Sequence, residues 1–229
     1  RGPKSRPSGS NQTQTSTPKS GRKFGSHSRF PSRNRPARNT RQFQTGGAGE
    51  VKQESQGGLR IIPLGGCEEV GRNMTVFEYE GDIIILDMGL QFPEEDMPGI
   101  DYIIPNTKYL VGKENKIRGV IFSHGHLDHI GAAPILLEKL GNPTIIGRDL
   151  TLALIKNKQE DYKRNSAKNL KTITIKNLRD TLRLGKFTVK FFQIEHSIVE
   201  AVGVIIETPD GTVINPGDWT LERNKNGLP

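Results

Sequence analysis

From Leu59 onward the chain alternates short apolar runs with Gly, Pro, Asn and Asp. Apolar runs of four to eight residues bounded by turn formers predict β-strands. They fall near Leu59–Pro63, Met74–Tyr79, Ile83–Asp87 and Ile117–Ser123. Between Ile130 and Leu140 the apolar positions switch to helical spacing and stop at Gly141, which predicts a helix with a glycine C-cap. A strand over Pro143–Gly147 and a helix over Asp149–Lys158 follow. Five more strands are expected near Lys171–Ile175, Thr181–Leu184, Phe187–Ile194, Ala201–Glu207 and Thr212–Asn215, with Asp210-Gly211 as a hairpin turn between the last two. Strands and helices interleaved in this way predict sheets covered by helices, an α/β layered fold.

The first 57 residues carry no such pattern. They are rich in Ser, Thr, Gln, Asn, Gly, Pro and Arg, with Phe24, Phe30 and Phe43 as their only aromatics. A segment that buries so little apolar surface cannot offset the entropy of ordering, so residues 1–57 are expected to be a disordered basic tail and residues 58–229 the folded domain.

Charge divides at the same place. Residues 1–57 hold 12 Lys or Arg against Glu50 and Glu54, whereas residues 58–229 hold 21 basic and 23 acidic residues. The sequence pI of 9.6 therefore belongs to the tail. Such a tail serves either as an electrostatic arm that neutralises phosphates of RNA or as a solubilising extension. The single cysteine, Cys67, excludes an intramolecular disulfide framework and fits a reducing, cytoplasmic compartment. No apolar run is long enough for a membrane span, and the tail lacks the apolar core of a signal peptide.

The chemistry concentrates in one string. Of five histidines, three fall in His124-Gly125-His126-Leu127-Asp128-His129. A lone histidine is usually an ordinary surface or core residue, but three with an aspartate in six residues assemble the nitrogen and oxygen donors that zinc-like ions take. Alternation after a strand puts His124 and His126 on one side, and the turn into a helix can bring Asp128 and His129 beside them. Asp87, His196 and Asp218 each follow an apolar strand, and ligands of α/β sheets collect at the carboxyl ends of strands. One divalent ion could take His124, His126 and His196, a second could take Asp128 and His129, and Asp218 could bridge them. Two adjacent ions activate water and clamp the attacking and leaving oxygens of a phosphodiester. The same donors would suit hydrolysis of a lactam, lactone or thioester.

The string His124 to His129 resembles the His-X-His-X-Asp-His signature of the metallo-β-lactamase superfamily, and Asp87, His196 and Asp218 match its other early motifs in order. More specific strings resemble the ribonuclease J family of its β-CASP group. These are Leu64-Gly65-Gly66-Cys67-Glu68-Glu69-Val70-Gly71-Arg72-Asn73-Met74, Phe92-Pro93-Glu94, Met97 to Pro105, the continuation Ile130-Gly131-Ala132, and His196-Ser197-Ile198. The resemblance covers about residues 59–222.

It implies the first, incomplete part of an αββα metallo-β-lactamase fold, cut before the β-CASP insertion that should begin soon after Asp218. It also implies a zinc-dependent ribonuclease (manganese also suits the donors) that degrades and processes RNA endonucleolytically and from the 5′ end, homo-oligomeric at full length. His124, His126 and His196 would hold one ion, Asp128 and His129 the other, with Asp218 bridging. Asp87 would orient a ligand by hydrogen bond. Family residues for the 5′-phosphate, for leaving-group protonation and a further histidine ligand should lie beyond Pro229, so this segment alone is expected to be inactive. Two departures stand out. The family pattern His-Ser-Ile-Pro-Asp is here His196-Ser197-Ile198-Val199-Glu200, and Thr-Gly-Asp-Phe is here Pro216-Gly217-Asp218-Trp219. The alternatives are another hydrolase of the superfamily (a DNA nuclease, thioesterase or lactonase) and a non-catalytic RNA-binding protein.

Overall fold

The computed structural model describes residues 57–220. The expectation of a disordered tail concerns residues that, apart from Gly57, lie outside this range.

Among the described residues, ten strands form two sheets. In the first, β1 (Arg60–Gly65), β2 (Met74–Tyr79) and β3 (Asp82–Leu86) are antiparallel, and β4 (Ile117–Ile121), β5 (Ile145–Gly147) and β6 (Thr172–Thr174) continue from β3 in parallel. The spatial order follows the chain, β1 to β6. The second sheet contains β7 (Thr181–Leu184), β8 (Phe187–Gln193), β9 (Val202–Thr208) and β10 (Gly211–Asn215), antiparallel in the order β10-β9-β8-β7. The described residues also form three α-helices, α1 (Leu127–Ile130), α2 (Ala133–Lys139) and α3 (Asp149–Tyr162), besides three single-turn 3-10 helices.

The layering follows from the alternation of side chains along each strand. In β3, Ile83 and Ile85 join the core with α1, α2 and α3, while Ile84 and Leu86 face the second sheet. Val120 and Ile121 of β4, and Ile145 and Ile146 of β5, divide in the same way. These strands are apolar at successive positions because both of their faces are covered, as parallel strands require. From the second sheet, Phe187, Val189 and Phe191 of β8 meet Val202, Val204 and Ile206 of β9 in the inter-sheet core. Each such side chain contributes about 1.5–3 kcal/mol by leaving water. The described residues thus form three layers, helices on a mixed sheet on an antiparallel sheet. Ile214, on the outer face of the second sheet, is exposed.

Two expectations are corrected. The single helix over Ile130–Leu140 is two helices, because the amide of Ala132 donates to Met88 O (2.9 Å) outside the helix. Pro134 then stands in the first turn of α2, where its missing N–H costs nothing. The helix does end as expected at Gly141, whose φ of +77° lets Asn142 N–H reach Leu137 O (2.8 Å). The β9–β10 turn is Pro209-Asp210 rather than Asp210-Gly211, since Gly211 already pairs with Thr208. Elsewhere strand limits move by a residue or two, and α3 runs to Tyr162. No helix among the described residues is long and apolar enough to cross a membrane.

Candidate metal centre

Parallel β3 and β4 end side by side, so Asp87 and His124 leave the sheet at the same edge. The segment after β3, and Asn73 just before β2, are then sewn to the histidine string through backbone hydrogen bonds. Met88 N donates to His129 O (2.8 Å), Leu90 N to Leu127 O (3.0 Å), and Asn73 N to Asp128 O (3.0 Å). The approach is so close that a Cβ on Gly89 would sit 1.5 Å from Asp128 O, so only glycine fits there. Asp87 itself takes a left-handed φ of +62°, a conformation that aspartate tolerates better than most residues.

From the second sheet, β8 leads into the loop that carries His196, and β10 into Pro216-Gly217-Asp218. Gly217, at φ +62°, turns the chain and donates its amide to Asn215 Oδ1 (2.8 Å). The His196 loop is tied at both ends: Val202 N donates to Ser123 O (3.0 Å) and Thr220 N to Glu195 O (2.8 Å). Glu200, at φ +65°, anchors it further. Its carboxylate accepts the amide of Leu150 in the first turn of α3 (2.8 Å) and lies 3.5 Å from the Arg148 guanidinium.

All six donors named from the sequence come together. His126 Nδ1 is 3.1 Å from His124 Nε2 and 3.0 Å from His196 Nε2. His129 Nε2 lies 3.3 Å from Asp218 Oδ2 and 3.5 Å from Asp128 Oδ2. His124, His126 and His196 make one compact donor group, and His124, His129 and Asp218 another. His124 thus borders both groups, while Asp128 stands beside the second.

These donors fit divalent ions. One Nδ1 atom cannot make good hydrogen bonds to two imidazole nitrogens at once, whereas a cation accepts lone pairs from all three. Nitrogens about 2.0–2.1 Å from a tetrahedral zinc stand roughly 3.3 Å apart, close to the spacing seen.

Behind the donors, Asp87 fixes two rings. Its Oδ2 accepts from His129 Nδ1 (2.8 Å) and from the Ser123 hydroxyl (2.8 Å), and its Oδ1 from Ser123 N (2.8 Å). The Ser123 oxygen in turn lies 3.0 Å from His124 Nδ1. Because the hydroxyl proton goes to the carboxylate, the oxygen is free to accept Nδ1–H. Both rings therefore present Nε2 to the cluster, which is the arrangement a histidine ligand needs.

The electrostatics differ from ring to ring. Burial, reinforced by the charge of His129, pushes His124 down to about 4. Burial acts the same way on His129, but Asp87 and then Asp128 and Asp218 outweigh it and raise His129 to about 12. The His129 hydrogen bond in turn lowers Asp218 to about 2 and lowers Asp128. Burial and the neighbouring His126 lower His196. In the ion-free protein, a proton on His129 is the counter-charge to three carboxylates.

Three residues near the centre had no individual role assigned from the sequence, although Asn73 lies in a string that resembles ribonuclease J and Glu200 in one that departs from its pattern. Ser123 and Glu200 have just been described. The third is Asn73, whose carboxamide nitrogen lies 3.1 Å from His129 Nε2 and 3.4 Å from Asp128 Oδ2. Ser123 could have been suspected, since it directly precedes the histidine string. Asn73 belongs to the quoted Leu64–Met74 string, but its contact with Asp128, 55 residues away, gives no local signal.

Comparison with known proteins places this arrangement in a class. Residues 67–225 match the Metallo-beta-lactamase superfamily, and the chain belongs to that superfamily. Its relatives include Ribonuclease J of Thermus thermophilus, 43% identical over 181 residues, a match that covers 75% of this chain and 31% of that protein. Ribonuclease J of Synechocystis sp. is 40% identical over 166 residues, covering 72% of this chain and 26% of the relative. The chain thus matches less than a third of the length of these relatives. Among solved structures, a protein of unknown function from Enterococcus faecalis V583 shares the fold at a TM-score of 0.54 and 20% identity, over 70% of this chain and 43% of that one. Membership of the superfamily implies divalent metal ions, and the His/Asp cluster is compatible with them.

Proposed function

We propose that this chain is the metallo-β-lactamase part of a metal-dependent ribonuclease of the ribonuclease J type, which cleaves RNA phosphodiester bonds both from the 5′ end and internally. The observation that carries the proposal is the convergence of six donors from three chain segments, five of them in two adjacent groups that share His124, with Asp128 beside the second. The 37–43% identity to proteins named Ribonuclease J supplies the substrate class.

His124, His126 and His196 would hold one ion. His129 and Asp128 would hold the second, with Asp218 bridging, and zinc or manganese suits these donors. When bound, two such ions supply Lewis-acid stabilisation of phosphate charge and an activated water. The chain's own part is to hold the donors still. Asp87 and Ser123 fix the tautomers of His129 and His124, Asn73 steadies Asp128, and Glu200 anchors the His196 loop. The carboxylates Asp128 and Asp218 are ionised at neutral pH and are the candidate catalytic residues, with Asp87 behind them as a positioning residue.

The same reading has residues 58–229 as a domain cut before a β-CASP insertion. Residues 1–57 would be a basic RNA-binding arm, and the whole protein a cytoplasmic homo-oligomer. This segment alone would be inactive, because 5′-end recognition and leaving-group protonation would come from residues beyond it.

The test uses the full-length protein with matched 5′-monophosphate and 5′-triphosphate RNAs, Zn²⁺ or Mn²⁺, and Asp218→Ala as control. The expected result is metal-dependent cleavage that favours the monophosphate and disappears in the control. Bound metal with no cleavage of either RNA would move the substrate to DNA or a small ester.

A further inference from the structure

The folded domain is close to neutral as a whole, yet residues 163–190 hold nine Lys or Arg against one acid, Asp180. Fold and topology gather this stretch on one side. β6 ends the first sheet, β7 ends the second, and the loop 175–180 joins them, so two open sheet edges lie together. Four of the nine cations are neutralised: Lys163 by Glu138, Lys176 by Asp149, Lys186 by Glu80 and Lys190 by Glu207. Arg164, Lys168, Lys171, Arg179 and Arg183 are exposed and form no ion pair among the described residues.

Charges on open edges commonly block edge-to-edge association. That role does not account for this distribution. Arg164, Lys168 and Arg179 lie outside β6 and β7, where they guard no edge. The opposite open edges do without such charge, for β10 has no cation and β1 has only Arg60.

The basic side also leads to the metal centre. β6 is parallel to β3, β4 and β5, so its carboxyl end points to the sheet edge where Asp87 and His124 emerge. Just beyond it, Leu178 lines a cavity of roughly 350 Å³ together with Arg148, Glu200 and His196. Arg179 follows Leu178 directly, so unpaired positive charge begins one residue from a cavity that His196 also lines.

Building on the ribonuclease reading, we propose that the exposed basic side formed by β6, β7 and their flanking loops is a docking track for the phosphate backbone of single-stranded RNA, leading past the Leu178–His196 cavity to the metal centre. Unpaired guanidinium and ammonium groups release counterions on meeting phosphates, each contributing about −0.7 to the slope of log affinity against log salt for a single strand. Within residues 163–190 the single aromatic, Phe187, is buried, so binding through these residues is electrostatic and insensitive to sequence.

The test is the salt dependence of binding of a 20-nucleotide 5′-labelled RNA to the full-length protein, read by anisotropy. The Lys168→Gln/Lys171→Gln/Arg179→Gln variant is compared with wild type and with Lys186→Gln, which changes an ion-paired lysine. The triple variant is expected to lower the steepness of the slope by about 2, with Tm and metal content unchanged. Lys186→Gln should leave the slope where it was. A triple variant that keeps the wild-type slope would overturn the track and leave the nuclease reading standing. Wild-type protein that binds no RNA at all would overturn both.

Discussion

The two halves of the metal centre are built in opposite ways. His124, His129, Asp87 and Ser123 lie in the packed end of the first sheet, at 0%, 2%, 5% and 1% exposure. His196 and Asp218 stand on loops from the second sheet, and the Asp218 side chain is 44% exposed. The buried half has its geometry fixed by the same contacts that hold the fold together. The loop half is held outside the core by a few specific anchors. A centre made this way is rooted in the core on one wall and in loops on the other, so changes in the two halves should separate stability from metal binding.

The largest effect is expected from Gly89→Ala. The new methyl cannot coexist with Asp128 O at 1.5 Å, so the strand-to-helix connection must open. Thermal unfolding should show a domain that is largely unfolded or missing its cooperative transition. Asp87→Ala comes next. It strands the His129 and Ser123 donors in a buried site, which costs about 3–5 kcal/mol by analogy with breaking a buried ion pair. Urea unfolding measures this loss, and a cost under 1 kcal/mol would show that the buried half is not what holds the wall rigid.

Acidity should reveal the two buried histidines separately. His124 is depressed from its usual 6.5 to about 4, so its neutral form is favoured by folding. Its contribution is fully present above pH 6.5 and is lost as pH falls from 6.5 toward 4. His129 is raised to about 12, so its contribution is complete below 6.5 and is lost as pH rises from there through 12. The Tm of metal-free protein should therefore fall on acidification below 6.5, and His124→Gln should flatten that limb while leaving the alkaline limb in place. Loss of both limbs together would mean that the rings do not act independently.

Glu200→Ala is the smallest of the series in stability, about 1 kcal/mol as for a lost helix cap. Its effect on metal affinity should be larger in proportion, about 10-fold, since the His196 loop loses its tie to α3. Zinc titration by calorimetry would show it, and Glu200→Gln should recover part of the loss. Equal affinity in all three proteins would show that the loop needs no anchor.

Much of the centre was legible because its donors are local. Three histidines and an aspartate in six residues announce metal chemistry with no fold at all, and the apolar runs place Asp87, His196 and Asp218 at strand ends. The supporting residues were not legible to the same degree. Asn73, Ser123 and Glu200 carry ordinary side chains, and their partners lie across the fold in space. Helical spacing from Ile130 to Leu140 could not show the break at Ala132, because the competing acceptor, Met88 O, arrives from another segment.

By itself the sequence determined the α/β character, the approximate strand and helix positions and the six candidate donors. These follow from periodicity and from the chemistry of residues close together in the chain. Only the tertiary structure decided which wall of the centre is buried, which histidine keeps its proton, and where the cations of residues 163–190 collect. Each of these depends on desolvation and on charges from segments distant in sequence, quantities that exist only once the chain has closed on itself.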